Sequence, residues 1–440
     1  MLSATTLDSR GVTVSYDVSG PEAATPITFA VARSASPTPG PGEVPVGPVL
    51  TPPVLDDSGQ PATAPGVHRV TLPLAGGLPI NPNHPYVLVV ADPGPSESVA
   101  SFRKNSIAVV THGGIQDPAW NKVGPPWQRE MARSLRAQGY DEVIAYNWAA
   151  QSRTPGAAAK QGPILARMVL DAAGRFPGNN PVDVQYIGHS EGAVVNTQAI
   201  VGVAAQATPR LRAGYLQDTL LDPHAANPDF PGRQYSVGGP VGWIAKLAID
   251  NYQARSRDPL VFIPPSVNSA QVFYQQTPAN RDHGTNAGIY NIWGQVPVQG
   301  PASYFNLTGA GVVHSGKQGV PAWYEHHVVS TLGNGAPAIA SETLTGTLAA
   351  PALAGHRATY SGASAPGSTV SLLAGKPGKG HLDPVGQAVA GPDGAWTATT
   401  HPLATGPHRV VAEARLAGWN PKKQTLNPTA PLGSLTVGNG

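Results

Sequence analysis

The chain has 440 residues, and at roughly 150 residues per domain that length sets an expectation of about three domains. Charged residues are only 12% of the chain and 41% is hydrophobic; with 8 Trp and 13 Tyr this composition excludes a disordered polymer. The net charge of +2 is spread without clusters, which disfavours nucleic acid and anionic lipid as partners, and the absence of Cys excludes disulfides, thiol catalysis, zinc ribbons and iron–sulfur clusters.

No run of about 18 residues is free of polar groups, so a spanning helix is not expected. The start, Met1 to Gly11, has neither a basic stretch nor an apolar run, so a signal peptide is expected to be absent or already removed.

Residues 1–98 alternate apolar and polar in short runs such as Val12-Thr13-Val14-Ser15-Tyr16 and His68-Arg69-Val70-Thr71-Leu72, separated by Pro and Gly. Period-two alternation with such punctuation predicts a small β-sandwich. Between these runs Ser34 to Pro53 is rich in proline and reads as an extended loop, and Pro93 to Asn105 loses its periodicity and reads as a linker.

From Ser106 the pattern changes to short, fully apolar strands alternating with helical stretches, as a buried parallel sheet requires. Ile107–Val110, Glu142–Trp148 and Val182–Ile187 are predicted strands, alternating with predicted helices over Trp127–Gln138, Ile164–Arg175 and Ala193–Ala205. Further strands are expected at Tyr215–Leu221, Ala270–Tyr274 and Tyr304–Leu307. Residues 106–335 therefore read as an α/β unit. After a Gly- and Pro-bearing segment, Gly333 to Pro337, residues 341–440 return to β alternation, as in Thr369–Leu373 and His408–Val411.

The third zone carries a resemblance. Ala365–Val370, Pro392-Asp393-Gly394-Ala395-Trp396 and Leu403–Val410 resemble the immunoglobulin-like modules of bacterial secreted proteins. What the resemblance implies is a non-catalytic β-sandwich in an extracellular or cell-surface protein.

The chemistry concentrates in the α/β unit. Gly188-His189-Ser190-Glu191-Gly192 lies between a predicted strand and a predicted helix, so it reads as a strained turn that presents a nucleophilic Ser190 above the sheet. Thr111-His112-Gly113-Gly114 ends the first apolar strand, where Gly113 or Gly114 can turn a backbone N–H toward a developing oxyanion; the second donor is the amide of Glu191. With these motifs, residues 106–332 resemble the α/β-hydrolase superfamily in its lipase and esterase branch. The overall expectation is a multidomain chain, a central α/β-hydrolase between two all-β sandwich modules.

That resemblance implies an acid and a His after the nucleophile. Asp222, in Leu220-Leu221-Asp222-Pro223, is the first choice of acid, with Asp282 and Asp218 as alternatives; His314 is the first choice of base, with His283 as its rival. His112, Trp148 and Trp127 are candidates for a substrate wall. The expected activity is cleavage of small-molecule, lipid or polymeric esters through an acyl-enzyme, with no cofactor and no metal. The alternatives are an amidase or peptidase with the same three residues, and a non-catalytic binding or adhesion protein attached through its β modules.

Overall fold

The computed structural model describes residues 2–19, 27–92, 99–114, 117–227, 247, 250–275, 294–295, 298–307, 312–329, 345–348, 356–364, 369–376, 382–391, 395–415 and 429–437. The first part holds strands β1 (Leu2–Thr5), β2 (Gly11–Val18), β3 (Thr28–Ser34), β4 (Val44–Pro45), β5 (Gly66–Pro73), β6 (Tyr86–Asp92) and β7 (Val99–Arg103). They form two antiparallel sheets, β1-β2-β5 and β4-β3-β6-β7. Alternate side chains, among them Val12, Val14, Phe29, Val31, Val70, Leu72, Val87 and Val89, meet in one apolar core.

The stretch expected to be a linker contains β7. Val99 to Arg103 pairs antiparallel with β6 from Tyr86 to Val90, so the sandwich extends past residue 98 to Arg103. Only Lys104 separates β7 from the first strand of the central sheet, β8 (Asn105–Thr111). The segment looked aperiodic because its Arg, Lys and Asn find buried or paired positions that only the tertiary structure supplies.

The central unit continues with α1 (Pro126–Ala137), β9 (Glu142–Tyr146), α2 (Ala157–Arg175), β10 (Val182–His189), α3 (Gly192–Ala205), α4 (Pro209–Ala213), β11 (Leu216–Leu221), β12 (Ser269–Tyr274), β13 (Ser303–Asn306) and α5 (Val320–His327). Residues 250–256 are also helical. All six strands are parallel, in the order β13-β12-β11-β10-β8-β9. β8 and β10 are buried along their whole length, which explains the apolar run Ile107–Val110 in β8, while β10 also buries the polar Asp183 and Gln185.

Successive side chains of each strand alternate between two faces. Ala108, Val110, Ile187, Leu221 and Phe273 pack with Met131 and Leu135 of α1 and Tyr324 of α5. Ile107, Val109, Val184, Leu220 and Val272 pack with Leu165 and Val169 of α2 and Val195 and Ala199 of α3. α1 buries Gln128, Met131, Ala132 and Leu135, one face of a helix, whereas α3 is buried almost all round because α2 covers its outer side. α2 begins at Ala157, earlier than the expected Ile164; Pro163 inside it interrupts the helical signal.

The last part forms two antiparallel sheets from β14 (Thr345–Leu348), β15 (Thr359–Ala363), β16 (Thr369–Gly375), β17 (Asp383–Val389), β18 (Ala395–Thr399), β19 (Gly406–Arg415) and β20 (Thr429–Val437). Their orders are β14-β15-β18 and β17-β16-β19-β20. Tyr360, Leu372, Trp396, Val410 and Leu435 fill the space between them and run on into the apolar core of the central unit. Among the described residues no helix is long and apolar enough to cross a membrane.

Candidate active site

In the central sheet the strand order changes direction between β8 and β10, which are neighbours although β9 and two helices separate them in sequence. Connections leave such a point on opposite faces, and in open α/β sheets the region beyond the carboxyl ends of the two strands is where ligands bind. Both glycine-bearing motifs sit there: His112-Gly113-Gly114 follows β8, and Ser190 follows β10.

Ser190 adopts a φ of 55°, a left-handed conformation that a non-glycine residue holds only when its surroundings enforce it. Its N–H donates to the Leu221 carbonyl at 3.1 Å, and its own carbonyl accepts from Ala193 at 3.0 Å and His224 at 3.1 Å, which ties the turn to the ends of two strands. The turn is also tight: a Cβ at Gly192 would lie 2.6 Å from the His112 carbonyl oxygen. The glycine at that position is therefore a packing requirement.

From the serine a hydrogen-bonded relay runs inward. The Ser190 hydroxyl donates to His314 Nε2 at 3.0 Å, and His314 Nδ1–H donates to Asp222 Oδ2 at 2.7 Å. Asp222 sits in the turn after β11 at a φ of 46°, fully buried. Its carboxylate also accepts from Gln275 Nε2 at 2.8 Å and from the Gly294 amide at 2.9 Å, which fixes its orientation toward His314. His314 lies in the loop between β13 and α5, which Val320 N–H closes on the Val313 carbonyl at 3.0 Å.

Of the alternative acids, Asp218 points elsewhere. It lies mid-strand opposite Tyr186, buried, with neither carboxylate oxygen bonded among the described residues, and desolvation pushes its pKa up to about 8. Asp282 and His283 lie outside the described residues.

His189 does more than fill the turn. Its Nε2–H donates to the His314 carbonyl at 2.8 Å, and its ring lies 4.7 Å from the His314 ring. Nδ1 is buried without a partner among the described residues, and burial holds this imidazole well below its ordinary pKa, hence neutral. Trp127, half-buried on α1, meets His189 edge-on at 5.6 Å and so backs the site. His189 and Gln275 are not legible as site residues in the sequence, because a carbonyl contact and a second shell of carboxylate donors leave no spacing signature.

His112 and Trp148 were candidates for a substrate wall; the structure buries both completely beneath the glycine loop. Their rings stack at 5.6 Å. His112 Nε2 accepts the Trp148 amide at 3.1 Å, which makes Nδ1 the protonated nitrogen; it donates to the Gly113 carbonyl at 2.8 Å. Trp148 Nε1–H in turn donates to the His112 carbonyl at 2.7 Å. The pair thus fixes the peptide planes of the loop from below, and burial lowers the His112 pKa to about 4, keeping it neutral.

Opposite the loop, the Glu191 amide stands at the start of α3, where N–H groups have no intrahelical acceptor and the helix dipole is positive. The Glu191 carboxyl packs against Gly114, in the space a side chain there would need. Burial, with Asp258 nearby, pushes this carboxyl well above its usual range, and the Tyr252 hydroxyl donates to it at 3.4 Å. The side chain is a neutral buttress of the loop. Among the described residues no group of three His, Asp or Glu is arranged to hold a metal.

No protein-family profile matches the chain, and no curated protein does. Solved structures do resemble it. One is the thioesterase domain of NocB in covalent complex with a fluorophosphonate nocardicin G analogue, at 13% identity and a TM-score of 0.25, covering 46% of this chain and 84% of that one. Another is a cutinase-like protein from Cryptococcus sp., at 18% identity and a TM-score of 0.19, over 29% and 55% of the two chains. A third is phospholipase PlaB from Legionella pneumophila in complex with thio-NAD, at 11% identity and a TM-score of 0.31, over 74% and 90%.

Proposed function

We propose that the chain is a serine hydrolase of carboxylic esters, with the α/β-hydrolase architecture in its central unit. The observation that carries this reading is the unbroken relay Ser190–His314–Asp222, ending on a serine held at positive φ beyond the carboxyl end of the sheet. A hydroxyl so placed is an activated nucleophile, because the imidazole beside it can accept its proton as the bond to carbon forms.

In the mechanism, Ser190 Oγ attacks the ester carbonyl while His314 Nε2 takes its proton. Asp222 keeps the other ring nitrogen protonated and stabilises the imidazolium. The charge that develops on the carbonyl oxygen is met by the amides of Glu191 and of Gly113 or Gly114, held in place by the His112–Trp148 pair and the Glu191 carboxyl. His314 then protonates the departing alkoxide, and water, deprotonated by the same imidazole, releases the acid from the acyl-enzyme. The residues supply every proton transfer.

For the remainder of the chain the reading is of two accessory β-sandwiches flanking a catalytic unit over 106–335. The C-terminal one, 341–440, is assigned as an immunoglobulin-like module. Its three-strand and four-strand antiparallel sheets with Trp396 between them support that assignment, which carries with it an extracellular or cell-surface location.

The test is direct. A fluorophosphonate probe should label the chain at Ser190 and p-nitrophenyl esters should be turned over, both lost in Ser190→Ala with the circular dichroism spectrum unchanged. Unlabelled wild-type protein without ester turnover would overturn the proposal, and a panel of acyl lengths would define the substrate.

A further inference from the structure

A second site stands out in the N-terminal sandwich. A groove of about 510 Å³, within the range of small-molecule sites, is lined by Val44, Val46, Leu50, Leu74 and Ile80, with Arg33 among the lining residues. Arg33 is a deeply buried residue of β3, only 3% exposed. Its Nη2 donates to the Pro79 carbonyl and lies 3.6 Å from Asp183 Oδ2, but Nε and Nη1 have no acceptor among the described residues.

The charges there do not cancel. Asp183 already pairs with buried Lys104 at 2.7 Å and accepts the Tyr215 amide on the same oxygen at 2.7 Å. Lys104 also donates to the Leu78 carbonyl at 3.0 Å. Two cations thus share one carboxylate, and the cation with unbonded N–H groups is the one that lines the groove. A buried guanidinium edge without an acceptor is costly, and an anion delivered through the groove would satisfy it.

We propose that this groove binds an amphiphile with one carboxylate, a fatty acid, whose headgroup takes the free N–H groups of Arg33 and whose tail lies along the apolar lining. A planar carboxylate matches the guanidinium fork, and a single negative charge balances the single surplus cation. The site is distinct from the one at Ser190. Asp183 opens β10 and Ser190 follows its other end, which at about 3.3 Å per residue puts the two roughly 20 Å apart.

Calorimetric titration of the Ser190→Ala chain with sodium decanoate below its micellar concentration tests this without any dependence on the hydrolase reading. One equivalent should bind, and 1-decanol should bind about tenfold or more weakly. Arg33→Gln should lower decanoate affinity about 10- to 100-fold, to the level of the alcohol. Ala75→Trp, at an exposed residue of the groove's lip, should block decanoate while leaving Arg33 in place, and it decides the matter if Arg33→Gln does not fold. Absence of decanoate binding, equal binding of acid and alcohol, tighter binding of decyl phosphate, or undiminished affinity in a folded variant would each overturn the proposal.

Discussion

Replacing Asp222 by Asn keeps the shape of the side chain but lets the amide donate where His314 Nδ1–H must, so the imidazole turns to the wrong tautomer. Ester turnover should fall by about four orders of magnitude in a p-nitrophenyl ester assay, whereas Asp218→Asn should leave turnover near wild type. Asp218 has its own signature. Folded, it stays protonated to about pH 8, while unfolded it ionises near its ordinary 3.8. Between those values the folded state binds more protons, so this group erodes stability as pH rises. The stability of Asp218→Asn relative to wild type, read by thermal melting, should therefore climb between pH 4 and pH 8 and level above it. His189→Leu removes the donor to the His314 carbonyl, so turnover should drop about 10-fold or more, with KM little changed. Ser190, Asp222 and His314 were legible because a strand-ending motif and chain order mark them. His189, Gln275 and the Glu191 carboxyl were not, since their roles consist of contacts made across the fold.

At the level of elements, the six parallel strands were readable because burial on both faces favours short apolar stretches, such as Ile107–Val110, between helical segments, and that pattern survives any tertiary arrangement. β7 was not: it is a short strand half exposed at the edge of its sheet, and its last residue, Arg103, pairs with Asp141 across the junction. Lys104 beside it looked like linker polarity yet is almost fully buried against Asp183 on β10. The ion cluster makes β10 the element on which sandwich and sheet both depend. Asp183→Asn leaves Lys104 and Arg33 buried without their shared counter-charge and should cost about 3–5 kcal/mol in denaturant unfolding. A loss under about 1 kcal/mol, typical of exposed pairs, would show that the cluster contributes little.

For the whole molecule, the two sandwiches are attached in different ways, and truncation should separate them. Removing 1–103 strips Lys104 and Asp183 of Arg33 and exposes the end of the sheet, so the remainder should be insoluble. Removing 341–440 uncovers apolar surface, so the remainder should fold with a lower melting midpoint and keep soluble-ester turnover within about threefold. An aggregated product in the second case would mean that the C-terminal module completes the core. The junction at Lys104 bears on motion as well. With a single residue between β7 and β8, and that residue's ammonium held between Leu78 and Asp183, there is no length of chain in which a hinge could form. The N-terminal sandwich and the α/β unit should tumble as one rotor, with a shared rotational correlation time in amide relaxation measurements, so a ligand seated at one end of β10 would be carried rigidly with Ser190 at the other.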